Sequence, residues 1–202
     1  LETSDSRENA LGMNLPNQLT LWRLGLVFPF VWLLSVDWHW SKSIALLLFL
    51  VASFTDYADG YIARRYQLVT VFGQLMDPLV DKIMIVSAFI CLVATKDLPA
   101  WTVIIIVSRE FLITGLRLIG VSRGRTLPAE RLGKHKTVWQ MVTVIYYLLL
   151  KSINEASWVH LSPSAETIAS GIGTVVLSVA VILTLFSGLS YLAKNRDLVS
   201  DL

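Results

Sequence analysis

Four aspartates, Asp56, Asp59, Asp77 and Asp81, crowd one short stretch of a chain that is otherwise strongly apolar. They follow the spacing Asp56-x2-Asp59-Gly60-x2-Ala63-Arg64-x8-Gly73-x3-Asp77-x3-Asp81. A carboxylate at mid-bilayer costs on the order of 2.5–3.5 kcal/mol on insertion scales, so four near each other demand opposing charge. Arg64, Arg65 and Lys82 stand close enough in sequence to offset part of it. Two divalent cations would balance all four, and hard metal ions are bound by carboxylate oxygens. The stretch reads as a di-metal acidic site near one face of a membrane.

The spacing says how helices would present these groups. Asp56, Asp59, Gly60 and Ala63 fall at i, i+3, i+4 and i+7, which is one face of a helix. Gly73, Asp77 and Asp81 fall at i, i+4 and i+8, again one face if the following helix begins early. Small residues between the acids let a bulky ligand lie against the backbone. Simpler explanations exist for each part. Asp77 ahead of Pro78 suits a helix N-cap with proline at the first helical position. Asp56 and Asp59 could form structural ion pairs with Arg64, Arg65 or Lys82, and glycine and alanine are common where membrane helices touch. None of these accounts for two small residues interleaved with four acids on two consecutive stripes.

A second constellation is basic. Ser108-Arg109-Glu110 and Arg117 lie within an apolar run, with Arg109 and Arg117 eight residues apart and close to one helical face. Glu110 can pair with either. Intramembrane charge of this kind marks a functional site by default, although a buried Arg109–Glu110 network could also simply order the helices. Further on comes Gly133-Lys134-His135-Lys136-Thr137, whose lysines suit a phosphate site or a topology signal. Together Arg109, Arg117, Lys134 and Lys136 offer the guanidinium forks and ammonium point charges that a phosphate-bearing ligand needs.

The elements that must position these groups follow from hydropathy. The chain has 202 residues, of which 54% are hydrophobic and 16% charged, and its mean hydropathy is +0.62. Such a composition fits one compact membrane domain rather than a soluble one. A net charge of +2 makes no bulk case for a nucleic-acid partner. Cys91 stands alone, so no intrachain disulfide can form, and His39, His135 and His160 lack zinc-type spacing. Residues 1–12 read as a polar tail or tag remnant without the apolar core of a signal peptide, and residues 13–202 as the membrane domain.

Six apolar segments are each about long enough to span a hydrocarbon core, which takes roughly 20 helical residues. They are Leu19–Val36, Ser43–Arg64, Leu79–Thr95, Ala100–Gly120, Thr137–Ile153 and Ile168–Ala193. The expected fold is an all-α integral membrane protein, a six-transmembrane-helix bundle. Its connections would be Asp37–Lys42, Arg65–Pro78, Lys96–Pro99, Val121–Lys136 and Asn154–Thr167. Arg7, Arg64, Arg65, Arg123, Arg125, Arg131, Lys134, Lys136, Lys194 and Arg196 fall on one side, against Lys42, Lys96 and Lys151 on the other. By the positive-inside rule both termini and the acidic site face the cytoplasm. Trp38, Trp40, Trp101 and Trp158 fall near outer span ends, where interfacial anchors belong.

The acidic pattern resembles the signature of the CDP-alcohol phosphatidyltransferase family at all eight of its positions, and the likeness extends from about Asn14 to Arg196. The resemblance implies transfer of a phosphatidyl group from a CDP-linked lipid to an alcohol, with release of CMP. It implies that Asp56, Asp59 and Asp77 hold two divalent metal ions, Mg2+ or Mn2+, while Asp81 shares in ligation and acts as general base. Gly60, Ala63 and Arg64 would surround the cytidine diphosphate, and Gly73 would allow close approach to the nucleotide. Two ions neutralise oxygens on the attacked phosphorus and on the leaving phosphate, and a carboxylate beside them can take the acceptor's proton.

Three further runs are similar to a bacterial branch of the family whose acceptor is glycerol-3-phosphate. They are Pro16-Asn17-x2-Thr20-x2-Arg23, Ser108 to Phe111, and Gly133-Lys134-x-Lys136-Thr137. That likeness implies CDP-diacylglycerol and glycerol-3-phosphate as substrates, with Asn17, Thr20 and Arg23 closing the nucleotide end of the site. On residues alone the first run is also a helix start with a snorkelling arginine. The family further implies a homodimer in the bacterial cytoplasmic membrane. Two other readings stand beside this one. A cardiolipin-type or other phosphatidyltransferase would use the same acids with a different alcohol, and a divalent-cation carrier or metal-regulated scaffold would also explain intramembrane acids. The clustering of the acids at one face, rather than along a path through all six spans, argues against a carrier.

Overall fold

In the computed structural model the backbone is described for residues 15–66, 71–123, 131–156 and 162–196, and side chains for 22–55, 80, 82–120, 122–123, 133–156 and 162–196. The described residues form six helices: α1 Leu15–Ser35, α2 Ser41–Tyr66, α3 Val71–Ala94, α4 Ala100–Ser122, α5 Arg131–Glu155 and α6 Pro163–Lys194. Each takes in one of the expected apolar segments, α1 and α3 stopping one residue short of Val36 and Thr95. The helices overrun those segments, though, because a backbone ladder continues for as long as the residues tolerate it, whatever their polarity. Thus α3 starts at Val71 rather than Leu79, and α5 at Arg131 rather than Thr137.

The early start of α3 changes one reading. Asp77 does not cap a helix; it lies within α3, and Pro78 is an internal proline with no N–H for the carbonyl four residues back. The condition for Gly73, Asp77 and Asp81 to share a stripe, an early helix start, is met. Between α2 and α3 only residues 67–70 lie outside the described backbone, where the longer connection Arg65–Pro78 was expected.

Two compact units make up the chain, Leu1–Ser87 and Ala88–Leu202, with the boundary inside α3. In the first, α1 packs along α2. Phe30 and Phe49 are fully buried, with ring centroids 5.8 Å apart, beside Leu33, Leu34, Ala45 and Ala52. The turn between these helices is closed by Lys42, whose Nζ donates to Leu34 O at 3.0 Å and Val36 O at 2.6 Å, carbonyls at the end of α1 that the helix cannot satisfy.

In the second unit α6 packs against both α4 and α5. Its start follows capping chemistry: Ser162 Oγ accepts from the Ala165 N–H at 3.3 Å, and Pro163 takes the first helical position. The α5–α6 seam buries Val144 and Leu148 with Leu177, Ala180 and Val181. It is close at Gly173, where a Cβ would meet the Tyr147 hydroxyl at 2.9 Å. A polar step runs through this seam, since Gln140 Nε2 donates to Thr184 Oγ1 at 3.1 Å and Thr184 donates to Ala180 O at 2.7 Å. Such bonds fix the register of helices that lack a hydrophobic drive to associate.

Among the described residues, α6 alone is long and apolar enough to cross a membrane by itself. Shorter apolar stretches run over Trp22–Ser35, Ser41–Thr55 and Lys82–Ala94. Large apolar side chains lie exposed on several helices, among them Phe28, Phe54, Phe111 and Phe186. Trp38, Trp40 and Trp101 are exposed too, whereas Trp158 lies outside the described residues.

Candidate active site

The acidic constellation sits on regular helix. Positions 56, 59, 60, 63 and 64 lie in the last three turns of α2, and 73, 77 and 81 in the first three turns of α3. The side chains of Asp56, Asp59, Gly60, Ala63, Arg64, Gly73, Asp77 and Asp81 lie outside the described residues, as do those of Asn17 and Thr20 in α1. A continuous helical backbone at every one of these positions agrees with the two stripes drawn from spacing. The donor set also suits divalent ions, because all four acids offer hard carboxylate oxygens. Among the described residues no group of three or more His, Cys, Asp or Glu side chains gathers in metal-binding fashion. Arg23 is 5% exposed, so it is an arginine buried in α1 rather than one snorkelling to solvent.

The basic constellation is resolved in side-chain detail, and three helices of the second unit build it. Arg109 Nη1 lies 3.5 Å from Glu110 Oε1, and the Lys136 ammonium reaches the same carboxylate oxygen. Side-chain exposure is 12% for Arg109, 13% for Glu110 and 4% for Lys136, so the cluster is shielded rather than displayed. Glu110 and Arg109 come from α4, Lys136 from the second turn of α5. The floor is α6. A Cβ on Gly188 would stand 3.0 Å from Arg109 Cγ, so the arginine stem lies directly on the α6 backbone. At its far end the guanidinium passes Gly133, whose Cβ would stand 4.0 Å from Nη2. Arg109 therefore stretches from a glycine of α6 to a glycine of α5.

Not every expected cation joins this cluster. Arg117 lies two turns beyond Arg109 on α4 and is exposed; its Nε donates to the Tyr191 hydroxyl at 3.4 Å and its guanidinium lies 5.6 Å from the ring centroid. Tyr191 itself is buried with Ile113 and Leu116 at the α4–α6 contact. Lys134 is exposed, because positions 134 and 136 point about 200° apart around a helix. Glu110, which spacing allowed to pair with either arginine, is thus assigned to Arg109 and Lys136. Gly133 and Gly188 as a cradle, and Tyr191 as a partner for Arg117, were not read from sequence. The only signal for them is the single glycine before Lys134, and a glycine and a tyrosine three residues apart near the end of a long apolar helix.

The chain is helical in its described residues, with one helix of membrane-spanning length and charged side chains shielded between helices. It belongs to the CDP-alcohol phosphatidyltransferase family, whose sequence profile matches residues 13–193. It is 38% identical to the CDP-diacylglycerol–glycerol-3-phosphate 3-phosphatidyltransferase of Bacillus subtilis, over 91% of this chain and 96% of that protein. To the enzyme of the same name from Rickettsia bellii it is 33% identical, over 88% of this chain and 93% of the relative. A probable phosphatidylglycerophosphate synthase of Mycobacterium tuberculosis is 36% identical, over 98% and 89% respectively.

Proposed function

We propose that the protein transfers the phosphatidyl group of CDP-diacylglycerol to glycerol-3-phosphate, giving phosphatidylglycerophosphate and CMP. Relatives bearing that activity in their names align along almost the whole chain. The observation that carries the choice of acceptor is the shielded meeting of Arg109 and Lys136 on α4 and α5, since a phosphate-bearing alcohol needs fixed cations and plain glycerol or inositol does not.

In this reading Asp56, Asp59, Asp77 and Asp81 hold two divalent cations, which when bound neutralise phosphate oxygens of the CDP-lipid. Gly60, Ala63, Arg64 and Gly73 lie along the nucleotide, and Asn17, Thr20 and Arg23 close that end. Arg109 and Lys136 grip the acceptor phosphate, with Arg117 and Lys134 drawing it in from the solvent side. Asp81 takes the proton of the acceptor hydroxyl as its oxygen attacks the phosphorus attached to diacylglycerol. The bond from that phosphorus to the CMP oxygen breaks, and CMP leaves. Six membrane spans, cytoplasmic termini, a homodimer and placement in a bacterial cytoplasmic membrane complete the proposal. The excess of Lys and Arg on the cytoplasmic connections and the exposed tryptophans at the opposite turns support that orientation.

The test is direct. Purified protein in lipid nanodiscs receives CDP-diacylglycerol and Mg2+ or Mn2+ with glycerol-3-phosphate, glycerol, inositol or phosphatidylglycerol as acceptor, and CMP and lipid products are measured. Phosphatidylglycerophosphate should form only with glycerol-3-phosphate. Equal use of another alcohol would reject the acceptor assignment, and absence of CMP release with every acceptor would favour a carrier or scaffold.

A further inference from the structure

Glu110 has no place in the reaction just described, yet it is the residue on which both shielded cations converge. An acid that served only to let Arg109 be buried would need one partner. Here a single carboxylate oxygen faces the Arg109 guanidinium and the Lys136 ammonium, which come from different helices. Both α4 and α5 pack on α6, so this contact bridges them across the α6 surface that carries Gly188. Two like charges close together in a medium of low dielectric repel strongly. A lysine on a flexible four-carbon stem would take many positions if nothing held it. Arginine has five N–H donors and lysine three, so meeting at one carboxylate oxygen does not exhaust either.

We propose that Glu110 is a positioning residue for acceptor binding: its carboxylate holds Arg109 and Lys136 at one point, so that a phosphate monoester meets a pair already assembled. The inference rests on the acceptor reading above. Glu110 itself touches neither reacting atom; it acts through the two cations. Arg109 already rests on the α6 backbone, its Cγ against Gly188, so the role falls mainly on Lys136.

The experiment is a two-substrate initial-rate study of the parent, Glu110→Gln, Glu110→Asp, Lys136→Met and the Glu110→Gln/Lys136→Met double variant in nanodiscs. Glu110→Gln should raise the KM for glycerol-3-phosphate about tenfold, with the KM for CDP-diacylglycerol and kcat within about twofold of the parent. Glu110→Asp, which keeps the charge, should fall between the two. The double variant should nearly match Lys136→Met, because Arg109 stays seated on Gly188 and a residue acting mainly through Lys136 has little left to act on. An unchanged acceptor KM, equal rises in both KM values, or additive losses in the double variant would overturn the role. Should Glu110→Gln fail to give monodisperse protein, the comparison of Lys136→Met with the double variant decides alone: a nearly equal acceptor KM supports the role, a clear further rise rejects it. A parent that does not prefer glycerol-3-phosphate to glycerol sinks the acceptor reading and this inference together. A parent that does, with the wrong variant pattern, sinks only the role of Glu110.

Discussion

Lys136 and Lys151 lie fifteen residues apart on α5, about 22 Å along its axis, and each reaches a carboxylate on a neighbouring element. At the far end Lys151 Nζ lies 2.8 Å from Asp97 Oδ2, and the Thr95 hydroxyl donates to the same oxygen. Asp97 belongs to the turn that ends α3, where Lys96 takes a φ of 62° and the Asp97 N–H returns to Leu92 O at 2.9 Å. One cation meets one acid in that pair, exposures are 18% and 26%, and the contact fastens a turn to a helix. At the near end, among the described contacts, two cations meet one acid, all more deeply shielded, in a cradle of two glycines. Balanced charge at a turn is what a structural clamp requires. Two cations brought from separate helices to one acid, over bare glycine backbone, are the arrangement on which the acceptor site proposed above is built.

Variants can separate these two ends, and the largest effect should come from neither. Asp81→Asn removes the proposed base and should lower kcat by about 10²–10⁴-fold while both ion pairs remain, measured as CMP release at saturating substrates. Substantial turnover by that variant would remove Asp81 from its role. Next, Arg109→Ala and Lys136→Met should each raise the acceptor KM about ten- to a hundredfold, the loss of a charge-assisted hydrogen bond of roughly 1.5–3 kcal/mol, with CDP-diacylglycerol affected far less. If Lys151→Met did the same, the contrast between the ends of α5 would be lost. Gly188→Ala presses a methyl on the Arg109 stem and should raise the acceptor KM by about two- to tenfold, because a flexible side chain can shift by a few tenths of an ångström. A variant as severe as Arg109→Ala would mean that the stem has no room to move. The smallest effect belongs to Lys151→Met: kinetics within about twofold of the parent and a stability loss of about 0.2–1 kcal/mol, read from thermal unfolding in detergent.

The contrast also shows where reading from spacing stops. Arg109, Glu110, Lys134 and Lys136 were all legible as charged groups in or beside apolar runs, and the i, i+3, i+4 logic placed the acids on helix stripes. Helix ends were less legible. Hydropathy reports how thick the apolar layer is, whereas the backbone ladder ran through residues 71–78, past Gln74, Asp77 and Pro78, and through the basic run 131–136, carrying Asp77 into a helix interior and Lys136 into a shielded second turn. Lys42 was expected only as one of the few cations on the outer side; its work in closing the end of α1 depends on carbonyls presented by the turn.

By itself, the order of residues determined the helical class, the six apolar segments, the family and the chemical identity of both constellations, since each depends on side-chain type and on the fixed periodicity of a helix. Tertiary structure alone decided which charges meet. Glu110 could have paired with Arg109 or Arg117, and either lysine could have turned inward. The choice was made by α6, which puts a bare glycine under Arg109 and a buried tyrosine beside Arg117, and by the rotation of α5, which turns Lys136 in and Lys134 out. Those outcomes depend on how helices distant in sequence pack together, and local spacing carries no record of that packing.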